Sequence, residues 1–275
     1  MQTPPLLTDR AALIRNRARI RDESLFLRRA IRNEVQDRLI EVNRSFTAAA
    51  LITAQPSLWT DALPGAVVVP DDDLLALQPG AHDLVIHDMA LHWANDPVGQ
   101  LVQARLALRP DGMLIATLFG GQTLHELRAC LAEAEAATRG GLSPRVAPMG
   151  EIRDLGALLQ RAGFALPVAD LVPFRVSYAT ALALMVDLRG MGESNALAAR
   201  PRQMTPRRLI AETTARYAAA FGDANGRIPA TFEVVTLTAW APAPDQPQPL
   251  RPGSARARLA DALRVSEQPL DPDRD

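Results

Sequence analysis

Apolar positions along this chain recur with two different periods, and the alternation between them marks out strands and helices. Residues 84–86, Leu-Val-Ile, are an apolar run bounded by Asp83 and His87-Asp88, too short for a helix and read as a strand. Leu101, Ala104, Arg105 and Leu108 follow at helical spacing. Arg109-Pro110-Asp111-Gly112 then breaks the pattern with turn chemistry, and 113–119 is a second apolar run closed by Gly120-Gly121. Two buried strands joined by a helix make a right-handed βαβ unit, so the sheet is expected to be parallel. Ligands of such sheets sit beyond the strands' carboxyl ends, which places residues 88–93 at that edge.

The same reading extends in both directions. Upstream, 48–53 is a candidate first strand, with a short helix near 57–62 and a strand over 66–69. Downstream, helices are expected over 124–138, 151–162, 179–188 and 205–221, extended segments over 165–172 and 175–178, and a last strand over 231–240. The predicted fold class is α/β, with a Rossmann-like, mostly parallel sheet. Only the 36 residues 47–82 separate Phe46 from Asp83. Three strands, two crossover helices and their connections need about 50, so one crossover is expected to be shortened or deleted.

Residues 1–45 read as an amphipathic helical arm. Leu27, Ile31, Val35 and Leu39 repeat every four positions, Phe26 and Ile40 widen the stripe, and Arg17, Arg19, Arg21, Arg28, Arg29 and Arg32 crowd the other face. Two readings of that charged face stand: a solvated surface, or a clamp that covers a cleft or grips an acidic partner. The expected organisation is an arm (1–45), a central domain with insertions (46–241), and a Pro-rich tail (242–275) that is largely disordered, with a short helix over 254–263.

Composition narrows the function classes. With 275 residues, 48% of them hydrophobic, the chain can bury a full core, and a net charge of −1 gives no general attraction to nucleic acid. The single cysteine excludes an internal disulfide and a cysteine-cluster metal site. The four histidines fall within 82–125, but strand alternation does not bring them to one point, so no metal is expected. No Gly-x-Ser-x-Gly occurs. No apolar run approaches 18 residues and the amino end lacks a secretion signal's apolar core, so a cytoplasmic protein is expected, with peripheral membrane association left open.

Specific motifs go further. They are the strand 83–86 followed by Leu91-His92-Trp93, then Leu108-Arg109-Pro110-Asp111-Gly112-Met113-Leu114, residues 119–128 and Gly141-Leu142-Ser143-Pro144. Residues 187–195, Asp-Leu-Arg-Gly-Met-Gly-Glu-Ser-Asn, and 229–235 complete the set. On these residues the chain resembles class I S-adenosylmethionine-dependent methyltransferases. Within them it is similar to the methyltransferase-like assembly factors of respiratory complex I, which are related to the biotin-pathway malonyl-carrier methyltransferases. The resemblance runs from about residue 67 to 241.

The resemblance implies S-adenosylmethionine as cofactor, with Asp72, Asp73 and Asp88 the candidate contacts; an exposed N-cap cluster is the alternative reading of the aspartates at 71–73. It also implies a substrate side formed by His92, Trp93, Gly120, Gly121, Arg145 and the loop Arg189, Gly190, Met191, Gly192, Glu193 and Asn195. There Glu193 and Asn195 would hold a polar or cationic group. Class I methyltransferases cradle the cofactor in an Asp-x-Gly-x-Gly-x-Gly turn after the first strand. Here 54–59, Ala-Gln-Pro-Ser-Leu-Trp, contains no glycine, and the first glycine of the chain is Gly65. The expectation is therefore a methyltransferase-fold protein of the complex I assembly type that engages a protein partner, with impaired cofactor binding. An active S-adenosylmethionine-dependent methyltransferase of a protein, small-molecule or acyl-carrier substrate is the alternative, and no catalytic residue is assigned.

Overall fold

The computed structural model describes residues 5–246, 260–261 and 264–265. The described residues up to 242 form one compact unit. Six strands run as β1 (Ala49–Thr53), β2 (Val67–Val69), β3 (His82–Asp88), β4 (Leu108–Phe119), β5 (Ala165–Tyr178) and β6 (Ile228–Trp240). They form one sheet in the order β2-β1-β3-β4-β6-β5. β1 pairs in parallel with β2 and β3, and β3 with β4, while β6 runs antiparallel to β4 and β5. The sheet is thus Rossmann-like, mostly parallel, with an antiparallel edge. In the doubly wound order 3-2-1-4-5-6, two strands lie outside the first. Here only β2 does, which is the deleted crossover that the short spacing predicted.

Strand alternation divides the core. Along β3, Val85 faces α3 (Pro97–Ala107) and α5 (Ile152–Arg161), packing with Leu101 and Leu159, while Leu84 and Ile86 face the other side. That other side is covered by the arm: α2 (Phe26–Glu41) places Val35 against Leu51, Leu84, Ile86 and Ile115. Nearer its start, Leu27 and Ile31 join a cluster with Phe119, Leu127 of α4 (His125–Arg139), Leu184 of α6 (Ala181–Gly190), Tyr217 of α7 (Arg207–Phe221) and Phe232 of β6. Burying a side chain such as Leu27, Ile31 or Val35 stabilises by about 1.5–3 kcal/mol each, so α2 is part of the core. Ahead of it, α1 (Arg10–Arg17) is capped by the Asp9 carboxylate, which accepts from the Ala12 amide at 3.1 Å.

Several expectations need correction. Phe26 and Ile40 do not widen the buried stripe: they are 40% and 76% exposed, because the face that meets the sheet is narrower than the pattern suggested. The charged face is not uniformly solvated, since Arg28 is buried and Arg17 nearly so. His82 does not precede its strand but opens β3. The turn chemistry at 109–112 does not separate helix from strand. It sits inside β4, where the pairing steps from His82↔Leu108 to Leu84↔Met113 and Asp111 adopts φ +61°. The segments around Pro173 form one strand, because β5 lies at the sheet edge, where a proline's missing N–H can be tolerated. The short helix near 57–62 is a single 3₁₀ turn, Pro56–Leu58. The Pro-rich tail and its predicted helix fall almost entirely outside the described residues. Among the described residues, no helix is long and apolar enough to cross a membrane.

Candidate functional site

β1 and β3 lead to connections on opposite sides, so the crevice beyond their carboxyl ends is the switch point of the sheet. Thr53 and Asp88, register partners there, are joined by the Thr53 hydroxyl donating to Asp88 Oδ2 at 2.7 Å. The next residue, Met89, holds a left-handed φ of +44°, a conformation that costs a non-glycine residue about 1–3 kcal/mol. Arg28 of α2 reaches over this point. Its Nη1 lies 3.6 Å from Asp88 Oδ2, and its Nη2 donates to Glu193 Oε1 at 3.0 Å and to the Met89 carbonyl at 3.4 Å.

Glu193 closes the other side of that guanidinium. Its Oε2 accepts from Trp93 Nε1 at 2.7 Å and stands 3.3 Å from His92 Nε2. Burial alone would raise its pKa, but His92, Arg28 and Trp93 together bring it down to about 2. A buried, ionised carboxylate therefore holds one buried guanidinium.

A second arginine cluster lies where β2 ends. Asp71, two residues beyond β2, is buried and takes Arg17 Nη1 at 2.5 Å and Arg10 Nη1 at 3.1 Å, while Arg10 Nη2 reaches Asp72 at 3.1 Å. Burial pushes the Asp71 carboxyl up, but the two guanidinium groups hold it below the usual value. Gln100 pins the same loop by donating to the Asp71 and Asp72 carbonyls at 3.3 and 3.1 Å. Its Oε1 contacts His87 Nε2 at 2.8 Å, so the proton of neutral His87 sits on Nε2. Complete burial lowers the His87 pKa.

The glycine loop is where the arm docks. The Arg21 amide donates to the Gly190 carbonyl at 2.9 Å, and Asn16 Nδ2 to the Ser194 carbonyl at 2.9 Å. A Cβ on Gly190 would overlap Ser24 Oγ, and one on Gly192, at φ +79°, would stand 2.7 Å from Ile20 Cγ1. Gly190→Ala should therefore lower stability by about 1–3 kcal/mol, the usual cost of overpacking, and Ser24→Gly on that background should recover part of it. Thermal melts of both variants check this; an unchanged melting temperature in Gly190→Ala would mean that the arm is not seated there.

Beside Glu193 opens a cavity of roughly 460 Å³ between α4, α6, α7 and β6. Of the residues expected on the substrate side, Trp93, Arg145, Glu193 and Asn195 line it. His92 stands behind Glu193, and Arg189, Gly190 and Gly192 are not among the lining. Met191 is buried against the arm, in a small void shared with Arg28 and Ser24. Gly120 and Gly121 pack against Glu233 and Glu151 at the turn after β4. Of the residues expected to hold cofactor, Asp88 pairs with Thr53 and Arg28, Asp72 is exposed and pairs with Arg10, and the Asp73 carbonyl accepts from Gln103 at 2.9 Å.

Arg10 was not named from the sequence, Arg17 and Arg28 only as members of the charged face, and Asp71 only within the acidic run 71–73. A signal existed for Arg28 and, less sharply, for Asp71 within its acidic triplet; none marked Arg10 or Arg17. Arg28, Ile31 and Val35 share one helix face at i, i+3, i+7, so Arg28 belongs to the buried stripe. Asp71 is the first acidic residue after the second strand, where a dinucleotide fold places its ribose contact.

No known protein-family profile matches the chain. It is homologous to proteins named "Arginine-hydroxylase NDUFAF5, mitochondrial": with that of Danio rerio it shares 36% identity over 208 residues, 76% of this chain and 64% of the relative. It is also homologous to the "Malonyl-[acyl-carrier protein] O-methyltransferase" of Laribacter hongkongensis, 38% identical over 178 residues, 65% of this chain and 57% of that protein. The chain spans about three-fifths of the length of these relatives. Among solved structures, a SAM-dependent methyltransferase of Thermotoga maritima is similar at 13% identity and a TM-score of 0.41, covering 80% of this chain and 93% of that one.

Proposed function

We propose that this chain is a methyltransferase-fold protein of the respiratory complex I assembly type, which binds a protein partner and has impaired S-adenosylmethionine binding. The observation that carries this reading is the pairing of Asp71 with Arg17 and Arg10. A nucleoside in this crevice needs a free acidic group beyond the second strand and a glycine turn beyond the first. Asp71 is matched by two guanidinium groups of the chain itself, Asp88 faces Arg28, and the turn after β1 holds Pro56 and no glycine. The residues present do not fit the cofactor.

Homology to the NDUFAF5 proteins supports the assembly reading, and the loop 187–195, shared by resemblance with that group, supports it further. A partner side chain would meet the face built from Glu193, Asn195 and Trp93. The name of those relatives speaks of arginine, but here Glu193 is already engaged by Arg28 of the chain itself, so an incoming guanidinium would have to displace it.

Titration calorimetry with S-adenosylmethionine and S-adenosylhomocysteine tests the cofactor claim: no saturable heat is expected at ligand concentrations up to about 1 mM, weaker than about −4 kcal/mol of binding. Micromolar binding would instead favour the second reading, an active methyltransferase of a protein or acyl-carrier substrate, to which the O-methyltransferase relatives lend support. Affinity capture from respiring cells tests the partner claim, which fails if respiratory-complex subunits are no more abundant than in a control.

A further inference from the structure

The cavity beside Glu193 has a property that partner binding does not require. Its walls are largely apolar, with Phe119, Leu127, Leu131, Met149, Met185 and Phe232 contributing from several elements. Its volume of roughly 460 Å³ falls in the range of small-molecule sites, about 300–1,000 Å³. Among the described lining residues the one carboxylate is Glu193, which shares the Arg28 guanidinium with Asp88.

The charges around the cavity are unbalanced. Arg145 and Arg200 line it, and Pro201 belongs both to its wall and to a shallow depression lined by Arg139 and Arg202. These four arginines share two carboxylates. Glu135 takes Arg145 at 2.7 Å and lies 3.7 Å from Arg139, while Asp9 takes Arg200 at 2.8 Å and Arg202 at 2.9 Å. Four cations against two anions leave this group positive, and the balance stays positive by one charge when Arg28 is counted with Glu193 and Asp88. Arg145 Nε is also buried without a hydrogen-bond partner. An apolar cavity that adjoins an arginine-rich depression matches a molecule with one apolar and one anionic end.

We propose that this cavity binds a single-chain anionic amphiphile, its aliphatic chain among Phe119, Leu127 and Phe232 and its carboxylate or phosphate head toward Arg139 and Arg202. The site borders the arginine-filled crevice at Glu193 and shares the face given above to a partner, but none of Arg10, Arg17, Arg28 or Asp71 lines it, so it does not depend on the reading of cofactor binding. Its salt dependence should be that of a head group at exposed arginines, weakening as ionic strength rises.

Calorimetry on the full chain with dodecanoate, dodecyl phosphate, dodecyltrimethylammonium and inorganic phosphate provides the test. One saturable site is expected for at least one anionic amphiphile, and comparing the two identifies the head. The cationic amphiphile and inorganic phosphate should each bind about tenfold more weakly or not at all, the scale of a lost charged hydrogen bond. Arg139→Gln with Arg202→Gln, at exposed positions, should weaken the anionic ligand about tenfold while leaving the melting temperature near that of the parent. Ala147→Trp, which fills the cavity, should abolish binding. The proposal is overturned if neither anionic amphiphile saturates a site, if the cationic one or phosphate alone binds as well, or if the surface pair of substitutions leaves affinity unchanged. Those variants decide the matter even if Ala147→Trp fails to fold.

Discussion

Asp71→Ala is expected to lower the stability of this protein by about 3–5 kcal/mol, because it strands two guanidinium groups where there was a matched cluster. The Asp71 side chain is 4% exposed, Arg17 10% and Arg10 20%, so water cannot easily replace the lost carboxylate. At about 2–4 °C per kcal/mol for a chain of this size, the melting temperature should fall by about 10 °C. Arg17→Met on the same background should restore part of the loss, since an apolar side chain needs no counter-ion there. A double-mutant cycle by thermal melts reads both effects. A change below about 1 kcal/mol for Asp71→Ala would class the cluster with solvent-screened surface pairs and remove the arm from the crevice.

Acid should expose the second buried pair. The Glu193 carboxyl sits at about 2 when folded against an ordinary 4.5, so the folded state binds fewer protons than the unfolded state between those values. Its stabilisation is complete above pH 4.5 and is lost as pH falls toward 2, a difference of about 3 kcal/mol at about 1.4 kcal/mol per pH unit. Asp71, also held low, adds loss of the same sign in acid. His87 starts the decline earlier: burial disfavours its charged form, so the unfolded state takes up a proton first as pH drops through 6.5. Glu193→Gln cannot titrate, so its stability should fall less steeply than that of the parent between pH 4.5 and 2, although it is the weaker protein at neutral pH because Arg28 keeps only Asp88 as a charged partner. Denaturant melts across that range make the comparison. Parallel curves for parent and variant would show that Glu193 is not the ionised anchor of Arg28.

These two clusters explain what the arm does. Leu27, Ile31 and Val35 bind α2 to the sheet by apolar burial, and the arginines beside them are carried into the crevice by that docking. Gly190 at the end of α6 and Gly192 just beyond it permit the same approach from the other side, since side chains there would collide with Ser24 and Ile20. A loop that the resemblance assigned to substrate is, in the folded chain, also the seat of the arm.

Much of this was legible in the linear chain. Apolar runs located the strands though not their bounds, helical spacing gave the Leu27, Ile31 and Val35 core of the α2 stripe though not its edges, and the 36-residue gap before Asp83 foretold a sheet one crossover short. The missing glycine turn after Thr53 was equally plain, because backbone freedom is a property of residue type. Partnership is not such a property. Whether Arg28 meets water or Asp88 depends on a contact 60 residues away in the chain, and Asp71 could not be told from Asp72 and Asp73 until burial separated them. Local periodicity determined the elements; long-range docking decided which charges they desolvate, since pairing and burial arise only when distant segments meet.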